Sequence, residues 1–205
     1  LYLVDALKGS AKIIYEESDE AWVDLFQLGN TYAIDYTNDF SFLKESNSIL
    51  WASEKDGWRH LYQISLEGKP EILITKGEYD VIDLKYIHNK EGFVYYLASP
   101  DNATQKYLYK TNLNGNGKNK LLSPASLKGS HDYSFSSNGN YAAHTFSNHY
   151  TPYAKEFISI ANHKALTEEE SILKNIKKLE EKSTTEIFTI TTTDNAEMDG
   201  WMIKP

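Results

Sequence analysis

The feature that most constrains this chain is a repeat. Short stretches of alternating apolar and polar residues recur in groups of four, separated by turn residues. The first group is Phe40–Leu43, Ile49–Ser53, Leu61–Ile64 and Glu71–Ile74; the second is Asp83–Tyr86, Phe93–Leu97, Tyr107–Lys110 and Lys120–Leu122. Leu61-Tyr62 and Leu108-Tyr109 stand 47 residues apart, and Ala52-Ser53 and Ala98-Ser99 stand 46 apart, so two independent anchors return nearly the same period. A third group opens at Asp132–Phe135, turns at Ser137–Asn140 and continues through Tyr141–Ser147, with Ser147 lying 48 residues beyond Ser99. Leu1–Asp5 and Lys12–Tyr15 read as the closing strands of an earlier group. Four strands per roughly 40 to 50 residues is the signature of a propeller blade. Each such sheet buries its faces only against its neighbours, so three-odd blades cannot close a ring and the chain is expected to belong to a larger one. A β-sandwich is the structural alternative, but it has no need of an internal period.

Composition agrees with β structure. Aromatic residues make up 13% of the chain, mostly 15 Tyr and 8 Phe with 4 Trp, and such side chains fit a pleated, half-buried surface. The net charge of -8 argues against a nucleic-acid partner, which calls for a basic patch or stripe. No apolar run reaches the roughly 18 to 20 residues that span a bilayer. The absence of cysteine excludes disulfides, thiolate metal sites and a cysteine nucleophile from these residues. Asp56-Gly57 and Asn138-Gly139 join apolar strands and suit the positive φ of tight hairpins, while Asn114–Gly117 reads as a looser, more mobile reversal.

After Asn162 the period changes. Leu166, Ile172, Leu173, Ile176 and Leu179 recur at helical spacing, and Thr167 with Glu170 three residues later forms a capping-box pattern that starts an amphipathic helix there. Glu186–Thr192 and Gly200–Ile203 then read as two strands around a polar turn. The expected organisation is therefore blades over 1–163, a helix over 164–183 and a hairpin over 184–205.

Several segments, in order, resemble the propeller of the dipeptidyl peptidase IV family within the prolyl oligopeptidase clan of serine peptidases. Ser53-Glu54-Lys55-Asp56-Gly57-Trp58-Arg59-His60-Leu61-Tyr62 is similar to a blade strand and turn of that family. Ile74–Val81 follows at suitable distance, with Tyr79 where the family usually has Trp. His131 with Phe135–Tyr141 resembles a further run, with Ser137 and Asn138 in place of the usual Pro and Asp. Asp199–Pro205 resembles the entry strand of the family's α/β-hydrolase domain, and Glu20–Phe26 more loosely resembles a segment preceding these blades. The resemblance covers nearly the whole chain. It implies an all-β fold, a partial β-propeller of four-stranded antiparallel blades, with one short helix and a hairpin leading toward an α/β-hydrolase domain outside these residues.

The family's chemistry is expected to use a Ser, Asp and His triad with the Ser on a G-x-S-x-G elbow. No G-x-S-x-G occurs between Leu1 and Pro205, so no catalytic residue is assigned here. The paired glutamates that grip the substrate's α-amino group in the family find no convincing match; Glu16-Glu17 and Glu168–Glu170 are read as structural, the latter answering a helix dipole. Phe26 is a candidate lining residue of the substrate pocket, with core packing as the alternative. Asp56, Gly57, Trp58, Arg59 and His60 form the structural motif, Arg59 and His60 being read as a hydrogen-bonded pair beside a tight turn. The histidines show no metal-ligand spacing, so neither a metal nor a cofactor is expected. Asn195, Glu197, Asp199 and Gly200 resemble half a calcium loop but are read as a hairpin turn. Asn102-Ala103-Thr104 is a formal glycosylation sequon.

The resemblance implies a serine exopeptidase that releases N-terminal dipeptides after Pro or Ala. These residues would supply scaffold and substrate gating, with peptides bound through the hydrolase domain in cis and a homodimer as a candidate state. An oligopeptidase or acylaminoacyl peptidase of the clan, or a non-enzymatic binding propeller, are the alternatives. The compartment implied is a bacterial periplasm or cell surface.

Overall fold

The computed structural model describes residues 1–23, 40–179 and 185–204. They form two compact units, one of Leu1–Asp101 with Leu108–Leu122, the other of Asn102–Tyr107 with Ser123–Pro205.

In the first unit, strands β1 (Tyr2–Asp5) and β2 (Ser10–Ile13) pair as a hairpin. Strands β3 (Phe40–Leu43), β4 (Ser48–Ser53), β5 (His60–Ser65) and β6 (Ile72–Leu73) follow as an antiparallel meander in sequential order. A second meander comprises β7 (Val81–His88), β8 (Phe93–Ala98), β9 (Tyr107–Asn112) and β10 (Lys120–Leu121). Strand β4 is buried along its whole length and β8 along all but its first residue. Ile49, Trp51, Tyr62 and Ile64 form a core cluster, and Leu1 and Tyr15 pack against it, so the chain flanking the first hairpin is fastened to the meander that follows.

The second unit holds a third meander, β11 (Ser130–Phe135), β12 (Tyr141–Ser147), β13 (Ala154–Ser159) and β14 (Lys164–Ala165). Helix α1 (Ile172–Leu179) and the hairpin of β15 (Thr185–Thr191) with β16 (Glu197–Ile203) complete it. The helix rests on the meander through Ile172, which joins Leu127 and Phe146 in one core cluster with Ile176 and Ala154 beside it. Among the described residues, no helix is long and apolar enough to cross a membrane.

Two details depart from expectation. The helix starts at Ile172 and not near Thr167. Ser171 caps it, its Oγ accepting the Lys174 N–H at 3.3 Å, while the Ile172 N–H is taken by the Glu156 carboxylate at 2.9 Å. A partner sixteen residues away thus supplies what a local capping box was expected to supply. The Asn114–Gly117 reversal is also tighter than its composition suggests. Gly115 is buried with φ +68°, and an added Cβ would stand 2.6 Å from both Ile72 Cγ2 and the Leu73 carbonyl oxygen. Lys76 Nζ donates to the Gly115 carbonyl at 3.0 Å. Gly115→Ala is therefore expected to lower stability by about 1–3 kcal/mol, through left-handed backbone strain and this clash. A denaturant midpoint unchanged from wild type would contradict it.

Candidate functional site

The Asp56–His60 motif forms the connection from β4 to β5. Gly57 takes φ +95°, and its N–H donates to the Glu54 carbonyl at 2.8 Å, closing the turn. His60 opens β5 fully buried. Its Nδ1 lies 3.0 Å from Thr75 Oγ1 and its Nε2 3.0 Å from the Gly77 carbonyl. The Gly77 carbonyl can only accept, so Nε2 carries a proton, and the Thr75 oxygen also accepts the Leu61 N–H at 2.9 Å. The Arg59 backbone joins the start of β7, donating to Asp80 Oδ1 at 2.7 Å and accepting the Val81 N–H at 2.7 Å. Tyr79 packs edge-on against His60 and shares a 3.0 Å hydrogen bond with Tyr96 on the next meander. Trp58 is exposed. Both ring nitrogens of His60 are thus engaged by the segment that follows β6.

Glu17 is a carboxylate pin. It accepts from the Tyr15 hydroxyl at 2.7 Å, the Trp51 indole N–H at 3.3 Å and the Ser53 hydroxyl. Burial, and then the adjacent Glu17, push the Tyr15 phenol up, so the donor keeps its proton. Glu168 is exposed and ion-paired with Lys174 at 2.6 Å. Asp199 accepts from Thr189 across the β15–β16 hairpin at 2.9 Å. Asn195 occupies the turn with φ +64°. Phe26 lies outside the described residues.

The third meander holds a polar group of a different kind. Strand alternation turns His131 and Tyr133 of β11, His144 of β12 and Glu156 of β13 inward. The register sets Tyr133 opposite His144 and His144 opposite Glu156, forming one row across three strands. His131 and His144 are fully buried and Glu156 is 3% exposed. His131 Nε2 meets the Leu127 carbonyl at 2.8 Å, His131 Nδ1 meets His144 Nε2 at 2.9 Å, and His144 Nδ1 meets Glu156 Oε1 at 2.8 Å. The other Glu156 oxygen accepts the Ile172 N–H. Beside the row, the Tyr133 hydroxyl bonds to Ser123 and to His163 Nε2, each at 2.8 Å. Burial depresses His131 to about 3 and His163 to about 4, so both are neutral imidazoles at pH 7.

Zinc takes imidazole and carboxylate donors, and candidate donor atoms of His144, Glu156 and His163 lie within 4.8 Å of one another. The 2.8 Å separation of His144 from Glu156 is nevertheless a hydrogen-bond distance. Two donors on tetrahedral zinc with bonds of about 2.0–2.1 Å stand roughly 3.3 Å apart. His144 also has no nitrogen to spare, so the group is a hydrogen-bonded set and not a coordination set. Helical or short-range histidine spacing gave no sign of it; the available signal was the period-two placement of His131 and Tyr133 on one face of β11, with Tyr133 opposite His144. His149 lines, with Lys128, a separate cleft of about 520 Å³.

Comparison with known proteins places these features in a family. The model of the dipeptidyl peptidase IV N-terminal region matches residues 1–153. The chain belongs to this family. A probable dipeptidyl peptidase 4 of Emericella nidulans is 27% identical over 183 residues, which are 87% of this chain and 23% of that protein. Dipeptidyl-aminopeptidase B of Aspergillus niger is 28% identical over 148 residues, 69% of this chain and 16% of the relative. The crystal structure of Porphyromonas gingivalis dipeptidyl peptidase 4 superposes with a TM-score of 0.75 at 25% identity, covering all of this chain and 27% of that one. The fold is accordingly all-β, a partial β-propeller of four-stranded antiparallel blades carrying one short helix. The chain spans between 16% and 27% of the length of these relatives.

Proposed function

We propose that this chain is the propeller portion of a serine exopeptidase that releases Xaa-Pro and Xaa-Ala dipeptides from peptide N-termini. In this reading it scaffolds an α/β-hydrolase domain in cis and gates access to it. The observation that carries the proposal is the family match over residues 1–153, supported by relatives named as dipeptidyl peptidases. A propeller over a hydrolase pocket admits thin, unfolded chain ends and excludes folded proteins, which selects by access. The protein is proposed to work in a bacterial periplasm or at the cell surface, where such peptides occur, and to bind no cofactor for this hydrolysis.

The full-length protein is expected to hydrolyse Gly-Pro reporter substrates in a manner blocked by a serine-directed reagent. Residues 1–205 alone, lacking a G-x-S-x-G elbow, are expected to show none. Release of N-acylated residues or internal cleavage, without dipeptide release, would assign the protein to another branch of the clan. Absence of any serine-dependent turnover would favour a binding propeller.

A further inference from the structure

The row of buried side chains in the third meander carries a proton that its residues do not bring in their ordinary neutral-pH forms. From end to end the chain runs Leu127 carbonyl, His131, His144, Glu156, through contacts of 2.8, 2.9 and 2.8 Å. Both ends are acceptors. Each contact consumes one proton, so the chain needs three. A neutral imidazole supplies one, and an ionised carboxylate supplies none. Two neutral histidines and a carboxylate therefore fall one proton short. With His131 donating through Nε2 to Leu127 and His144 donating through Nε2 to His131, a bare His144 Nδ1 lone pair would face Glu156 Oε1 at 2.8 Å. Two buried acceptors do not stand at that separation without a proton between them.

We infer that the His144–Glu156 pair is a buried proton-binding site, occupied at neutral pH, that fastens β12, β13 and the N-terminus of α1 together. The proton lies on the Nδ1–Oε1 line, because the other carboxylate oxygen accepts the Ile172 N–H. The triad is then neutral overall, as an imidazolium facing a carboxylate or as their neutral tautomers. The surrounding groups do not supply an alternative holder. His131 on β11 could hold the extra proton only as an imidazolium, which burial disfavours by depressing it to about 3, and the Tyr133 hydroxyl is held by Ser123 and His163. Lys106 and His163 act on His131 through space, and Asp132 acts on Tyr133. On the helix side stand Glu168, paired with Lys174, and Glu169 and Glu170, which line a groove with Lys155 and Lys178.

Opening this meander frees His144 and Glu156 to ordinary values near 6.5 and 4.3, so above about pH 7 each opening releases one proton to water. The sign follows. Stability from the pair is complete below the imidazole's ordinary value and falls as pH rises above it, because the shared proton is given up on opening. Between pH 7 and 9 the opening constant is expected to grow about tenfold per pH unit. Below that window His131 and His163, neutral when closed, take up protons on opening and reverse the trend.

Hydrogen exchange of the full-length protein, read by mass spectrometry on peptides covering β12, β13 and α1 and corrected for intrinsic exchange, measures that constant. Glu156→Gln is the matched variant. Its amide donates to His144 Nδ1 and its carbonyl accepts from Ile172 without any added proton, so its opening constant is expected to be flat between pH 7 and 9. A wild-type profile as flat as the variant's, or a variant profile as steep as wild type, overturns the proposal. If Glu156→Gln does not fold, the wild-type slope decides alone, and a flat wild-type profile overturns the proposal.

Discussion

Glu156→Ala is expected to destabilise the third meander by about 3–5 kcal/mol, the range found when one partner of a buried charged pair is removed. The size follows from what is left behind. His144 is fully buried and would face a cavity with its Nδ1 unsatisfied, and the Ile172 N–H at the first turn of α1 would lose its acceptor. The loss therefore reaches two elements at once, since the same carboxylate ties β12 to β13 and the meander to the helix. Hydrogen exchange at β12, β13 and α1 is the measurement. Protection lost in the strands but retained in the helix would show that Ser171 and the Ile172 apolar contact hold α1 unaided.

Leu50→Ala is expected to cost about 2–5 kcal/mol. Leu50 has no exposed surface and sits in a strand buried at every position, where neighbours on both faces limit collapse of the cavity. Leu7→Ala serves as the internal control, because Leu7 is 99% exposed and its loss should fall within about 0.5 kcal/mol. The shift of the denaturant midpoint checks both. Comparable shifts for the two variants would mean that β4 is not the centre of its sheet's packing.

Much of this architecture was legible in the sequence because apolar alternation and period both follow from how a blade buries its faces. Strands β3 to β12 fall where Phe40–Leu43 through Tyr141–Ser147 alternate. Strand β13 was not legible, and the reason lies in two residues. Its inward face is Ala154, Glu156 and Ile158, so a charged residue stands in the middle of the buried face while the neighbouring Phe157 is 48% exposed, and the apolar alternation is broken at both. A charged group can point inward there only because His144 and Ile172 await it, and neither partner is local in sequence. The helix start shifted for the same reason. Thr167 and Glu170 carry a capping pattern, but the remote Glu156 and the adjacent Ser171 supply the acceptors. The histidine row was invisible to any search for ligand spacing, since strand register and not sequence separation brings His131, His144 and Glu156 together.

The lengths of the outer strands bear on how this protein behaves in concentrated solution. Each meander ends in a strand of two residues, β6, β10 and β14, which offers an incoming chain almost no ladder to extend. The long first strand β7 is interrupted by register shifts between Val81 and Asp83 and between Leu84 and Tyr86, and β11 is met at Ser130 by a parallel bridge from Lys106. The β15–β16 hairpin has none of these defences among the described residues. Its strands run seven residues each and pair only with one another, with Ile187, Ile190, Met198 and Trp201 exposed. Self-association of the chain would begin at that ribbon, and a lysine introduced at Ile190 would act as its gatekeeper.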